Sequence, residues 1–311
     1  RPRQGGFNMK LVIGTRGSNL ALRQTKLVIN MIKQIHPSIE FEMKIIKTNG
    51  DLIKNISIDK LGGKEIFVKE IEKELLEGTI DMAVHSMKDM PGELPKGLKL
   101  ASTPLREDYR DVFVFREGIN GLEKLPKGAR IGTGSKRRKY QILAHRPDLN
   151  IVPIRGNIET RIEKIRLENL DGIILAAAGI KRLGLNLGNR IFYIDKKIML
   201  PSPCQGILAI EIRENDERVE NLLMGLSHKQ TEIQATVERA FLKAVGGSCH
   251  LPVGAYCEVL KDKIIAEGLL GNGEGNILIR KSIVESIESY KKVGYRLADT
   301  IIEEMDERWK A

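Results

Sequence analysis

The chain has 311 residues, 41% hydrophobic and 30% charged, with a formal net charge of +10. That length and balance give a globular protein with core enough for two or three domains, and no apolar run is long enough to span a bilayer. Three cysteines exclude a disulfide framework and zinc-finger spacing, five scattered histidines carry no HExxH, and 5% aromatics with no recognisable motif argue against nucleic acid as the target of the basic excess.

Residues 1–8 (RPRQGGFN) lack periodicity and are set aside as an expression remnant; no signal pattern opens the sequence. The segment 10–15 reads as a strand, Ser18 as a helix N-cap, and 20–35 as a helix ended by Pro37. A strand is expected over 41–48, a loop at Gly62-Gly63-Lys64, an amphipathic helix over 67–76 closed by Gly78, and a strand over 80–84. This βαβαβ order predicts a mostly parallel sheet.

Beyond Pro91, Pro95 and Pro104 a second α/β unit is expected. Its strands fall at 111–115, 130–132, 151–154 and 172–177. Its helices fall at 135–145, from an Asn157 cap through 167, and at 180–183. Pro201-Ser202-Pro203 breaks the pattern, and a strand over 206–212 is expected to return to the first lobe. From Thr231 come a helix to 245, a Gly-Gly turn, strands over 256–260 and 263–269, and a helix over 290–305. The expected fold class is α/β: two doubly wound, periplasmic-binding-protein-like lobes plus a small C-terminal α+β domain. Expected boundaries are 9–104 with 205–226, 105–200, and 230–311.

The chemistry concentrates where strands end. IDMAVHSMKD (80–89) is an apolar run that stops at Lys88-Asp89. In an open α/β sheet that position faces the ligand crevice, and the pair suits a substrate that carries anions and passes through a cation. Thr15-Arg16-Gly17-Ser18, the run from Gly132 through Thr133, Ser135, Arg137 and Arg138, Arg155-Gly156-Asn157 with Arg161, and Gly179-Ile180-Lys181-Arg182 repeat the design. Each is expected to set helix N-terminal N–H groups beside guanidinium forks that match carboxylates. No GxxxxGK[ST] or GxGxxG motif supports a nucleotide, and dispersed arginines suit a ligand with many carboxylates. Cys249, on the Gly-rich turn Gly246-Gly247-Ser248-Cys249-His250, is either an accessible thiol or a small buried one; spacing does not decide. Cys204 and Cys257 read as packing residues.

AVHSMKDMP (83–91), GTRGSNLAL (14–22), GGKEIFVKE (62–70), GTGSKRR (132–138), RGNIETR (155–161), LAAAGIKRLG (175–184) and GGSCHLPVGAY (246–256) together resemble the porphobilinogen deaminases, or hydroxymethylbilane synthases, in register from Met9 to the C-terminus. The resemblance implies a transferase that joins four porphobilinogen units head to tail, with loss of ammonia, into a linear tetrapyrrole. It implies a dipyrromethane cofactor held by a thioether to Cys249, with Asp89 as the catalytic carboxylate beside Lys88. Cofactor contacts fall on Arg16, Ser18, Lys88, Thr133, Ser135, Arg137, Arg138 and Arg155. Substrate contacts fall on Arg16, Gln24, Lys64, Phe67, Arg155, Arg161 and Arg182. No metal, nucleic acid or membrane is implied; a cytoplasmic monomer handing its product to the next tetrapyrrole enzyme is. Ser248, Gly134, Asn49 and Cys204 depart from the commoner family pattern, and these departures bear on affinity for individual rings rather than on Asp89. Two rivals use fewer of these residues: a two-lobed anion-binding protein needs neither Asp89 nor an accessible Cys249, and a basic nucleic-acid binder has no motif behind it.

Overall fold

The computed structural model describes residues 9–48, 68–246 and 251–310. The strands are β1 (Lys10–Thr15), β2 (Glu40–Ile45), β3 (Met82–Ser86), β4 (Leu98–Ser102), β5 (Asp111–Phe115), β6 (Arg130–Gly132), β7 (Asn150–Val152), β8 (Gly172–Ala176), β9 (Ile191–Tyr193), β10 (Leu208–Arg213), β11 (Val253–Val259), β12 (Lys263–Gly271) and β13 (Leu278–Ser286). The α-helices are α1 (Asn19–Ile35), α2 (Lys69–Leu76), α3 (Lys136–His145), α4 (Ile158–Leu167), α5 (Ala177–Leu183), α6 (Glu217–Leu223), α7 (Lys229–Ala244) and α8 (Tyr290–Lys310).

Two five-stranded sheets share one layout. The first runs β2-β1-β3-β10-β4 and the second β7-β6-β8-β5-β9. In each, the first three strands are parallel and the fourth is antiparallel to both neighbours. Those fourth strands are where the chain changes sheet: β5 follows β4 into the second, and β10 follows β9 back into the first. The two crossing segments lie side by side. Glu107 N–H donates to the Gly206 carbonyl at 3.0 Å and Gln205 Nε2 donates to the Tyr109 carbonyl at 2.8 Å. Gly206 sits at φ 89°, and a Cβ there would collide with the Glu107 carbonyl, so the close crossing requires glycine.

Each sheet is apolar on both faces, as βαβ crossovers demand. Val84 and Ile210 join Val28 and Ile32 of α1 on one face of the first sheet, while Ala83 packs with Ile71 and Leu75 of α2 on the other. In the second sheet Phe113 and Ile174 face Ile142 of α3, and Val112 and Ile173 face Ile165 of α4. The third sheet is an antiparallel meander, β11-β12-β13, whose buried side carries α7 and α8 through Phe241, Leu297 and Ile301. Among the described residues no helix is long and apolar enough to cross a membrane.

Several elements differ from expectation. The strand expected over 80–84 is Met82–Ser86; Ile80 precedes it outside the ladder, its carbonyl accepting from Arg213 Nη1 at 2.6 Å. The short helix expected at 180–183 begins at Ala177 and ends on Gly184 at φ 67°. β4, β9, α6 and β13 were not expected from the pattern. The loop expected at Gly62-Gly63-Lys64 lies outside the described residues.

Candidate active site

β3 delivers the chain to the crevice and a 3₁₀ turn, Met87–Asp89, ends it there. Met87 is the anchor: its side chain is buried with Val68, Met90 and Ala209, and its N–H donates to the Ile207 carbonyl at 2.9 Å. Because Met87 is fixed, the next two residues are held at the surface of the crevice, and both Lys88 and Asp89 are half-buried. Lys88 Nζ lies 3.4 Å from Gln205 Oε1. Burial pulls the Lys88 ammonium down to about 8; Asp89 opposes the shift and Arg138 adds to it. Upstream, the buried Gln24 of α1 donates from Nε2 to Ser86 Oγ at 3.0 Å. That contact turns Gln24 into a brace for the end of β3.

The second lobe brings its first cations from α3. Ser135 caps this helix by accepting from Arg138 N–H at 3.3 Å, and Thr133 Oγ1 accepts from Ser135 N–H at 3.2 Å. Arg137 and Arg138, expected as open carboxylate clamps, are instead turned onto Asp111 at the start of β5. Arg137 Nη1 reaches Asp111 Oδ2 at 2.6 Å and the Leu200 carbonyl at 2.9 Å. Arg138 Nε reaches Asp111 Oδ1 at 2.9 Å and its Nη1 the Ile174 carbonyl at 3.0 Å. Gln205 Nε2 adds a contact to Asp111 Oδ1 at 3.2 Å. Burial alone would raise the Asp111 carboxyl, but Arg137 and Arg138 outweigh it and hold it well below the usual carboxylate range. The expectation is corrected accordingly: these guanidinium groups already own a protein carboxylate, and what they present to the crevice is a fixed charge.

Arg155, Arg161 and Arg182 complete the wall. Asn157 caps α4 by accepting from Thr160 N–H at 2.8 Å, which places Arg155 just before the helix and Arg161 one turn inside it. Arg161 Nε donates to the Gly156 carbonyl at 2.7 Å, and Arg182 Nη2 to the Gly206 carbonyl at 2.7 Å. Neither forms an ion pair among the described residues. Burial lowers both to about 10; Arg138 and Arg155 push Arg161 further down, whereas Asp89 pulls it back up. Arg182 Nε is buried without a hydrogen-bond partner among the described residues. The expected helix N-terminus at 179–182 is corrected too: Lys181 and Arg182 lie in the last turn of α5, and Lys181 pairs with Asp108 at 2.9 Å.

Arg16 follows β1 half-buried, and Ser18 caps α1 by accepting from Ala21 N–H at 3.3 Å. Cys249, Lys64 and Phe67 lie outside the described residues. Cys204 and Cys257 are buried, and burial pushes the Cys257 thiol up, with Glu238 adding to it. Asp111 and Gln205, which tie β5 and the second crossing segment to the crevice, were missed by the sequence. The one available signal was a carboxylate opening an otherwise apolar strand, DVFVF.

Two α/β sheets joined by paired crossings, with a carboxylate from one facing several guanidinium groups from the other, define a two-lobed α/β protein with a cationic cleft. Crowded cations and an orphaned, buried Arg182 Nε are donors in need of a ligand oxygen, so the cleft fits a polycarboxylate such as a pyrrole cofactor bearing acid side chains. A family model described as "Porphobilinogen deaminase, dipyromethane cofactor binding domain" matches residues 11–221, and one described as "Porphobilinogen deaminase, C-terminal domain" matches residues 233–303. A porphobilinogen deaminase of Clostridium novyi (strain NT) is 56% identical over 300 residues, covering 96% of this chain and 100% of the relative. One from Clostridioides difficile (strain 630) is 56% identical over 299 residues, covering 96% and 99%. The chain belongs to the porphobilinogen deaminase family. Among solved structures, a probable amino-acid ABC transporter extracellular-binding protein of Bacillus subtilis overlaps 76% of this chain and 97% of its own, at 13% identity and a TM-score of 0.41. The L-cystine solute receptor of Neisseria gonorrhoeae overlaps 75% and 92%, at 11% and 0.41. At those scores the likeness adds nothing to the fold described from the sheets themselves.

Proposed function

We propose that the chain is a hydroxymethylbilane synthase that condenses four porphobilinogen units, releasing one ammonia per unit. The observation that carries this is the position of Asp89 on the turn after β3, close enough to act electrostatically on Lys88 of its own lobe and on Arg138 and Arg161 of the other.

Loss of ammonia from an aminomethylpyrrole leaves a positive charge spread over the ring and its methylene carbon. The Asp89 carboxylate, placed to accept from the substrate's pyrrole N–H, stabilises that charge. A preorganised group of this kind contributes about 3–4 kcal/mol. The same carboxylate takes the proton released when a ring carbon has been joined, a role worth roughly 10²–10⁴-fold. Arg161, Arg182, Arg155 and Arg16 bind acetate and propionate groups. Arg137 and Arg138, neutralised in part by Asp111, supply the field behind them. Thr133, Ser135 and Ser18 set the loops, and Gln24 braces Ser86. The family resemblance adds Lys64 and Phe67 as substrate contacts. Lys88, with the field of Arg137 and Arg138 behind it, would hold the dipyrromethane carried on Cys249, and that group would supply the free pyrrole carbon to which the first substrate unit is joined.

Under this proposal the first lobe comprises 9–104 with 205–226, the second 105–200, and the third domain, 230–311, carries Cys249. The protein works as a cytoplasmic monomer and releases its product to the next tetrapyrrole enzyme. The test is an intact mass of the purified protein with peptide mapping. The expected result is an added mass of two deaminated porphobilinogen units on Cys249, absent from Cys249→Ser. An unmodified chain that gains no adduct on incubation with porphobilinogen would overturn the proposal.

A further inference from the structure

We propose that a second small-molecule site lies between the first sheet and the C-terminal helices, and that it takes a flat aromatic polycarboxylate. A groove of about 720 Å³ runs there, lined by the β4 edge, the outer stripe of α7 and the start of α8. Small-molecule sites fall in this size class, roughly 300–1,000 Å³. None of the arginines of the cleft lines it.

Its floor contains an unsatisfied group. Thr103, just past β4, is 8% exposed, and its Oγ1 has no hydrogen-bond partner among the described residues. Buried hydroxyls are ordinarily paired, so an orphan lining a groove points to a ligand oxygen. The rim is cationic. Lys229, Arg239 and Lys243 recur along one face of α7 over about 20 Å of helix, and Lys291 joins them from α8. Two of these charges are already answered: Lys229 lies 3.7 Å from Glu232 and Lys243 lies 2.7 Å from Glu93. The other two are not. Among the described residues the exposed Lys291 forms no ion pair, and Arg239 donates only from Nη2, to the carbonyls of Pro91 at 3.0 Å and Gly92 at 3.2 Å. Carbonyls leave a guanidinium charge standing. Tyr290 and Tyr295 supply ring faces beside these cations, with Lys229 Nζ 5.8 Å from the Tyr290 centroid. A flat ring stacks on the tyrosines while its carboxylates meet Arg239, Lys291 and the Thr103 hydroxyl.

The site has a mechanical link to the cleft. Arg239 holds the carbonyls that directly follow Met90, so a carboxylate drawn to Arg239 competes with the contact that fixes the segment after Asp89. This link rests on the reaction proposed above; the site itself does not.

The test is a calorimetric titration of the full chain with benzene-1,3,5-tricarboxylate. Besides any binding in the cleft, which Arg182→Ala removes, a second binding event is expected that survives Arg182→Ala and is weakened at least about tenfold both in Thr103→Val, which keeps the buried shape, and in Lys291→Glu, which is at the surface. No binding to the unaltered chain overturns the proposal. So does binding that Arg182→Ala abolishes and the groove variants leave intact, which would place the ligand in the cleft alone. Beyond competition for the cleft, which raises apparent KM alone, tricarboxylate is expected to change kcat for porphobilinogen in the unaltered chain and not in Lys291→Glu. Binding to the groove with unchanged turnover overturns the link through Arg239, while absence of turnover without tricarboxylate strikes the proposed reaction instead.

Discussion

Replacing Asp111 with Asn is the sharpest probe of how the second lobe is held together. The carboxylate is fully buried and accepts from Arg137 at 2.6 and 3.3 Å, from Arg138 Nε at 2.9 Å, and from Gln205 at 3.2 Å. Both guanidinium groups are themselves nearly inaccessible. The amide keeps the shape and one acceptor oxygen but removes the charge and turns an NH₂ toward donors. Breaking a buried pair by removing one partner costs about 3–5 kcal/mol. At ~2–4 °C per kcal/mol for a domain of this size, the melting temperature should fall by roughly 10 °C. The surface pair Arg146–Asp148 is a matched control, with a bidentate contact at 2.7 Å and both side chains partly solvated. Asp148→Asn should cost less than about 1 kcal/mol. The sign of the pH dependence follows from the lowered Asp111 value. Its contribution is fully present above the ordinary carboxyl value of 3.8 and disappears as pH falls through the folded-state value. Differential scanning calorimetry at neutral pH decides the matter. Equal melting temperatures for Asp111→Asn and Asp148→Asn would refute the claim that the buried carboxylate organises α3.

Asp89→Ala should lower the rate of porphobilinogen consumption by at least about 10²-fold with an unchanged melting temperature, and near-normal turnover would remove Asp89 from the chemistry. Lys88 titrates near 8, so its positive charge is present below that pH and lost above it. Apparent KM should therefore rise above pH 8, and Lys88→Gln should flatten that limb; a limb that survives the substitution belongs to another group. Because the unfolded chain binds this proton up to the ordinary value of 10.5, stability should rise with pH over the same interval. Glu238→Gln strands Arg106, which it meets at 2.7 and 3.1 Å, and also weakens the acceptor for the Cys204 and Cys257 N–H groups. A loss of about 3–5 kcal/mol is expected in a denaturant titration.

Local features were legible because their partners are near in sequence. The caps by Ser18, Ser135 and Asn157 are hydrogen bonds to an N–H three residues on, so a single hydroxyl or amide before a periodic run suffices to announce them. The strand 111–115 was equally plain, since both its faces are covered and every residue but the first is apolar. β13 was not: Lys281 and Glu285 share a face with Ile279 and Ile283, and on the opposite face Val284 is 61% exposed between Ser282 and Ser286, so the alternation carries little hydrophobic contrast. α6 was missed because two turns of helix are too short to show a period. In the cleft, residue types were legible and pairings were not. Arg137 and Arg138 lie 26 and 27 residues from Asp111, and Gln205 lies 94 away. Nothing local tells a guanidinium that will own a protein carboxylate from one left open for a ligand.

That difference decides what the basic excess does. Several buried or half-buried arginines among the described residues fall into two groups by the chemistry of their acceptors. Arg106 meets Glu238, and Arg137 and Arg138 share the single carboxylate of Asp111, so these charges are answered in full or in part within the protein. Among the described residues the half-buried Arg161 and Arg182 meet only the carbonyls of Gly156 and Gly206, which satisfy a donor without cancelling the charge. Burying an arginine this way is costly unless an anion arrives. Both sit on the second lobe at the cleft, Arg182 with a donor unmade among the described residues, while under the proposed function the carboxylate of the first lobe, Asp89, serves a cation that exists only during reaction. Under the proposed function acid side chains on the ligand supply the missing counter-ions, and the pairing of other arginines within the protein helps to confine that demand to the cleft.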